Sequence, residues 1–156
     1  MRLSAFILSN LESILAEWES FASSVLLKSR LDKLALRDEA EAILKTIAYD
    51  METRQTATEQ AEKSKGHGPH TEQDTAAEIH AGERLRMGFN QAQVVSEFRA
   101  LRASVIRLWV NSSPEIDESA LDQLIRFNEG IDQALSESTA RFMQGIEKSR
   151  DLPLGS

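Results

Sequence analysis

The architecture of this chain follows from residues 118–150, ESALDQLIRFNEGIDQALSESTARFMQGIEKSR, which have the composition of one continuous helix. Apolar and small residues recur in it with heptad spacing, at Leu121, Leu124, Asn128, Ile131, Leu135, Ser138, Phe142 and Gly145. At 1.5 Å per residue, such a helix is roughly 50 Å long. Because the seam loses large side chains toward its end, we expect the helix to continue past its own domain, into a partner chain or a downstream domain.

The candidate dimer and output positions on this helix are Asn128, Ile131, Leu135, Ser138 and Phe142. A heptad seam is typical of parallel coiled coils, and a single Asn on the seam fixes the register at some cost in stability. The sequence therefore predicts a homodimer with the C-terminal helix in its interface.

The rest of the chain also has helical periodicity, since its three prolines fall in polar or terminal stretches. We expect further helices at about Ser4–Leu27, from Asp32 to about Met51, at Ala76–Met87 and at Gln91–Val110. Capping signals support their boundaries. Asp32 and Asp117 are N-cap candidates, each with a hydrophobic staple, Leu31–Leu36 and Ile116–Leu121. Thr75 with Glu78 and Asn90 with Gln93 have the spacing of capping boxes, and Gly88 is a helix stop. The predicted fold class is an all-α bundle of about five helices with a long C-terminal helix.

Residues 53–73 contain no large apolar side chain, so we expect a fraying helix end and a mobile turn at Gly66-His67-Gly68-Pro69. His67 and His70, with Glu72 and Asp74, have the spacing of ligands for a divalent metal. This loop lacks a rigid support, and we interpret the four residues as a solvated loop. No metal site is predicted.

Bulk properties exclude several classes of function. The chain has 156 residues, enough for one domain, and a net charge of −7, which argues against binding to nucleic acid or to an anionic membrane. Cysteine is absent, so disulfides and thiolate chemistry are excluded. Neither a membrane span nor a signal peptide is expected, which predicts a cytoplasmic location. Phosphate-binding loops, nucleophile elbows and metalloprotease motifs are also missing, so we expect no catalysis.

Charged residues on apolar helix faces mark the candidate site. His80 and Arg84 lie one turn apart within the apolar face of residues 76–87, and Arg102 lies within the apolar arc of the next helix. A buried guanidinium needs a carboxylate or an anionic ligand. Glu97, Glu83 or a carboxylate from one of the first two helices would make this a structural network. Otherwise His80, Arg84, Glu97 and Arg102 would line a pocket for a small anionic signal.

A haem protein is a further alternative, since His80 is the histidine on a packed helix. Arg84 one turn away and the small residues Ala76 and Ala77 fit a haem pocket poorly. We therefore predict no cofactor.

Two groups of residues resemble a known family. The first is His80-Ala81-Gly82-Glu83-Arg84, followed by Gly88-Phe89, Glu97-Phe98-Arg99-Ala100-Leu101-Arg102 and Trp109. It resembles the N-terminal sensor domain of RsbT co-antagonist proteins of the RsbRD type. The second is residues 127–135, FNEGIDQAL, followed by residues 147–152, EKSRDL. It is similar to the version of this domain at the front of bacterial sensor histidine kinases. The resemblance covers about residues 10–152 and is strongest over 74–152.

This resemblance implies a signal-input domain over residues 1–150, with 151–156 as the start of a linker toward a kinase core. The sequence contains no phosphoacceptor box or ATP-binding module, so no kinase activity of its own is expected. Dimeric, globin-like relatives without haem imply a non-haem globin-like version of the bundle. The alternative is a stressosome-type scaffold domain that binds proteins and no small molecule.

Overall fold

The computed structural model describes residues 2–25, 30–53, 74–112 and 114–151, and of residues 22–25, 30–36 and 149–151 only the backbone. Its helices are α1 (Leu3–Ser9), α2 (Leu11–Val25), α3 (Arg30–Met51), α4 (Ala76–Arg86), α5 (Gln91–Asn111) and α6 (Glu118–Asp151). Strands are absent from these residues. The all-α bundle with a long C-terminal helix is confirmed.

A break at Asn10 divides the first predicted helix into α1 and α2. The Asn10 amide donates hydrogen bonds to the carbonyls of Phe6 and Ile7, at 3.0 and 3.3 Å. Its side-chain Nδ2 also donates to the Phe6 carbonyl, at 2.9 Å. Asparagine side chains compete with helical hydrogen bonds in this way, and the chain turns there instead of continuing. The prediction of one uninterrupted helix was wrong.

Local capping signals fixed the starts of α4 and α5. Thr75 and Glu78 form the predicted capping box, and Asn90 and Gln93 form the second. Gly88 follows α4 with a φ of 82°, a conformation that favours glycine.

Of the other two predicted helix starts, the one at Asp117 is confirmed and the one at Asp32 is wrong. The Asp117 carboxylate accepts the Ala120 amide at 2.9 Å, as expected of an N-cap. However, the two side chains of the predicted staple beside it, Ile116 and Leu121, are 68% and 54% exposed. Helix α3 begins at Arg30, so Asp32 lies inside the helix and is not its N-cap.

The core lies where α6 packs against α1, α3, α4 and α5. Its large buried side chains include Leu3, Ile14, Trp18, Leu44, Phe98, Phe127, Ile131 and Phe142. Within the described ranges, no helix has the length and apolar character that a bilayer-spanning segment needs.

Candidate functional site

Helix α4 brings His80 and Arg84 into the interior of the bundle. The two residues are one turn apart, so their side chains point to the same side of the helix. His80 is 2% exposed and Arg84 is fully buried. The capping box at Thr75 fixes where α4 begins, and packing against α3 and α6 sets which of its residues face inward.

Two carboxylates meet these side chains. Arg84 Nε donates to Glu97 Oε1 of α5 at 2.7 Å, and Arg84 Nη1 donates to Glu39 Oε2 of α3 at 3.1 Å. His80 Nδ1 lies 3.1 Å from the same Glu39 oxygen. His80 Nε2 lies 2.8 Å from Glu97 Oε2, although without the alignment of a hydrogen bond. These four residues form what we call the polar core.

Aromatic side chains enclose the polar core. The His80 and Phe98 rings meet edge to face with centroids 5.5 Å apart, and the Arg84 guanidinium lies 5.3 Å from the centroid of the Phe89 ring. Trp18 Nε1 of α2 donates to the backbone carbonyl of Glu97 at 3.2 Å. The polar core therefore links α3, α4 and α5 directly, and α2 through Trp18.

The charges of the polar core nearly balance within the protein. Glu39 and Glu97 supply two negative charges and Arg84 supplies one positive charge. Both His80 nitrogens also face carboxylate oxygens, which only accept hydrogen bonds. Two carboxylates thus pair with the buried guanidinium through Nε and Nη1, while Arg84 Nη2 has no hydrogen-bond partner among the described residues.

The space around the polar core is too small for a signalling anion. The void beside His80 and Glu97 measures about 10 Å³ and is bounded by Trp18, Ala40, Ile43, Phe98 and Leu101. A void of this size holds roughly one water molecule. The haem alternative needs a His80 nitrogen as the axial ligand of the iron. Both His80 nitrogens instead face carboxylate oxygens within 3.1 Å.

Arg102 lies apart from the polar core, which corrects its predicted place on the buried arc. Its side chain is 33% exposed, and Nη2 donates to Asp132 Oδ1 of α6 at 2.5 Å. Arginine has a long aliphatic stem that packs on apolar surface while the charged head reaches toward solvent. The space beside Arg102 is a surface groove between α5 and α6, lined also by Val95, Ile106 and Leu135.

Much of the heptad seam of α6 is buried inside its own domain. Ile131, Ser138 and Phe142 are at most 1% exposed because α6 packs against the other helices of this chain. These three residues cannot meet a second copy without first leaving this core. Of the five candidate dimer positions, only Asn128 and Leu135 retain partial exposure.

Two acidic partners were not among the predicted site residues. Glu39 precedes the buried residues Ile43 and Ile47 by four and eight positions, so it shares their side of α3. This spacing could have predicted that Glu39 faces the interior. Asp132 gave no such signal, since it follows Ile131 on a half-buried side of α6. The prediction of a carboxylate from an early helix pointed to the right element without naming the residue.

A separate contact joins the ends of α1 and α3. The Ser4 hydroxyl donates to Glu52, which lowers the pKa of that carboxyl, and the positive charges of Arg2 and Arg126 add to the effect. Glu52 lies at the surface, away from the polar core.

The predictions for residues 53–71 and for His67, His70 and Glu72 concern a segment that, except for Thr53, lies outside the described residues, as do the Leu31–Leu36 staple side chains. In the described part of the chain, no three His, Cys, Asp or Glu residues are grouped to hold a metal ion. Comparisons with protein-family models, curated proteins and solved structures found no match to the chain.

Proposed function

We propose that this chain is a signal-input domain of a bacterial two-component histidine kinase and works as a cytoplasmic homodimer. The observation that carries the proposal is the position of α6. This 34-residue helix packs along α4, which holds His80 and Arg84, while another side of it remains apolar and exposed. A helix in contact with both the interior and the surface can pass a packing change outward.

The apolar surface of α5 and α6 supports a dimer. We call it the outer face, and its members are Val95, Ile106, Val110, Leu121, Ile125 and Leu135. Val110, Leu121 and Ile125 are 53%, 54% and 52% exposed. Several exposed apolar side chains on two packed helices are typical of an interaction site. The Arg102–Asp132 ion pair crosses the middle of this face.

Charge on the two helices favours a second copy as the partner. The exposed or half-exposed charges of α5 are all arginines, at Arg99, Arg102 and Arg107. Residues 118–137 of α6 contain five acidic residues and one basic residue. In a two-fold symmetric dimer with α5 of one copy against α6 of the other, Arg99 would meet the acidic helix twice, whereas Arg102 and Arg107 already pair with Asp132 and Glu17 of their own chain.

Signal transfer would use the contact between α4 and α6. A Cβ atom on Gly145 would collide with the Leu85 side chain, so the two helices approach closely at that point. A displacement of α4 would therefore move α6 relative to its symmetry mate.

A test fuses residues 1–150 to a dimeric histidine-kinase core through a continuous helix, with one to seven residues inserted at the junction. We expect autophosphorylation to change with insertions of one to four residues and to return at seven, because seven residues restore the heptad phase. Activity that does not depend on insertion length would contradict a helical output.

The second candidate is a stressosome-type scaffold domain, and the filled polar core favours it. The space beside Arg102 is a surface groove, and Arg84 already has carboxylate partners. A domain that only presents a surface to other proteins would leave the fused kinase equally active at every insertion length.

A further inference from the structure

An apolar cleft lies between α3, α4 and α6, separate from the polar core. Its volume is about 210 Å³, and it is open on one side. The walls are Ile43 and Ile47 of α3, Ala76 and Ala77 of α4, and Gly130 and Ala134 of α6. Ala77 and Ala134 are only 3% and 7% exposed, so the cleft reaches into the core.

The cleft exists because α6 changes from large to small residues along its buried side. Phe127 and Phe142 fill the interior near the two ends, whereas Gly130 and Ala134 stand between them. Gly130 is explained by contact with α3, since a Cβ there would lie 2.8 Å from Ile47 Cγ2.

We propose that this cleft binds a small aromatic or similarly compact apolar molecule that is neutral or positively charged. An apolar cavity of about 150 Å³ accommodates benzene, so this volume suits a single ring with a short substituent. The charged side chains among its described lining residues, Asp50 and Glu137, are both acidic, which disfavours an anion. This ligand class differs from the anion expected from the arginines.

The effect of ligand binding on signalling rests on the proposed function, whereas the binding itself does not. A ligand between α3 and α6 would press on the side of α6 that carries Gly130 and Ala134. It would also touch Ala77, which lies three residues before His80 on α4. Occupancy would thus shift the two helices that the proposed output mechanism uses.

Three ring compounds that differ mainly in charge test the site: benzyl alcohol, benzylamine and benzoate, each titrated into the ¹⁵N-labelled protein. We expect the first two to shift the amide resonances of Ile47, Ala77, Gly130 and Ala134, with Kd on the order of 1 mM. The Kd for benzoate should be at least about tenfold higher than the Kd for benzyl alcohol.

Ala76→Leu should weaken benzyl alcohol binding by about tenfold or more, because leucine fills the cleft from the first turn of α4. Ala92→Leu, at an exposed site in the first turn of α5, is the matched control and should leave binding unchanged. Thr46→Leu narrows the cleft from α3 and serves as the second variant if Ala76→Leu does not fold.

Unshifted amides at these four residues, or equal binding of benzoate, would overturn the proposal, as would binding that both cleft variants leave intact. If the ligand binds in the cleft but the kinase fusion is equally active at every insertion length, the binding site stands and the proposed output mechanism is wrong.

Discussion

Arg84 and Arg102 differ in how completely the protein covers them, and this difference sets their energetic roles. Arg84 is fully buried between two carboxylates, whereas Arg102 is one-third exposed and pairs with a half-exposed Asp132. Removing one partner from a buried ion pair leaves an uncompensated charge in a low dielectric, while an exposed pair contributes little.

We therefore expect Arg84→Ala to lower the free energy of unfolding by about 3–5 kcal/mol and Arg102→Ala by at most about 1 kcal/mol. Arg86→Ala, at a side chain that is 73% exposed on the same helix as Arg84, should change it by less than about 0.5 kcal/mol. Urea denaturation measures all three. Equal midpoints for the Arg84 and Arg102 variants would mean that the polar core is solvated.

Helical periodicity alone could place His80, Arg84 and Glu97 near the core, because inward-facing positions follow from spacing. It could not place Arg102, whose Cβ lies near the apolar arc while its charged end reaches Asp132. The length of an arginine side chain breaks the link between backbone phase and burial. Pairing across helices, such as Glu39 with His80, depends on tertiary packing that spacing does not encode.

At the scale of elements, local chemistry determined most of the boundaries. The capping boxes at Thr75 and Asn90 involve residues three positions apart, so the sequence contains all of the interaction. The break at Asn10 went unpredicted because apolar residues continue with helical spacing on both of its sides. Periodicity detects a shared face but not a single residue at which the backbone turns.

Two glycines six positions apart, Gly82 and Gly88, should respond oppositely to substitution by alanine. Gly88 has a φ of 82°, and Gly82 lies in α4; a Cβ at either position would have no neighbour within 4 Å. Gly88→Ala should destabilise the protein by about 1–2 kcal/mol through backbone strain alone. Gly82→Ala should stabilise it by about 0.5–1 kcal/mol, because alanine favours the helix.

Thermal or urea unfolding of both variants checks this pair. A stabilising effect at Gly88 would show that the turn after α4 does not need the left-handed conformation.

At the scale of the whole molecule, the seam of residues 118–150 illustrates what a heptad can and cannot predict. The spacing identified side chains that share one side of α6, and Ile131, Ser138 and Phe142 are indeed buried together. It could not tell whether that side meets a second chain or the same chain. The structure fills the positions of Ile131, Ser138 and Phe142 from within, whereas Leu121 and Leu135 of the same seam lie on the outer face that the proposed dimer would use.

Sedimentation equilibrium at micromolar concentration tests the proposed dimer most directly. We expect the wild-type chain to be a dimer and Ile125→Glu to be a monomer, because burying an unpaired charge among the apolar side chains of an interface is costly. Ile79→Glu is the control, since Ile79 of α4 is also 52% exposed but lies off the outer face. It should remain dimeric. A wild-type chain that stays monomeric, or a dimer that survives Ile125→Glu and is lost in Ile79→Glu, would contradict signalling through this face.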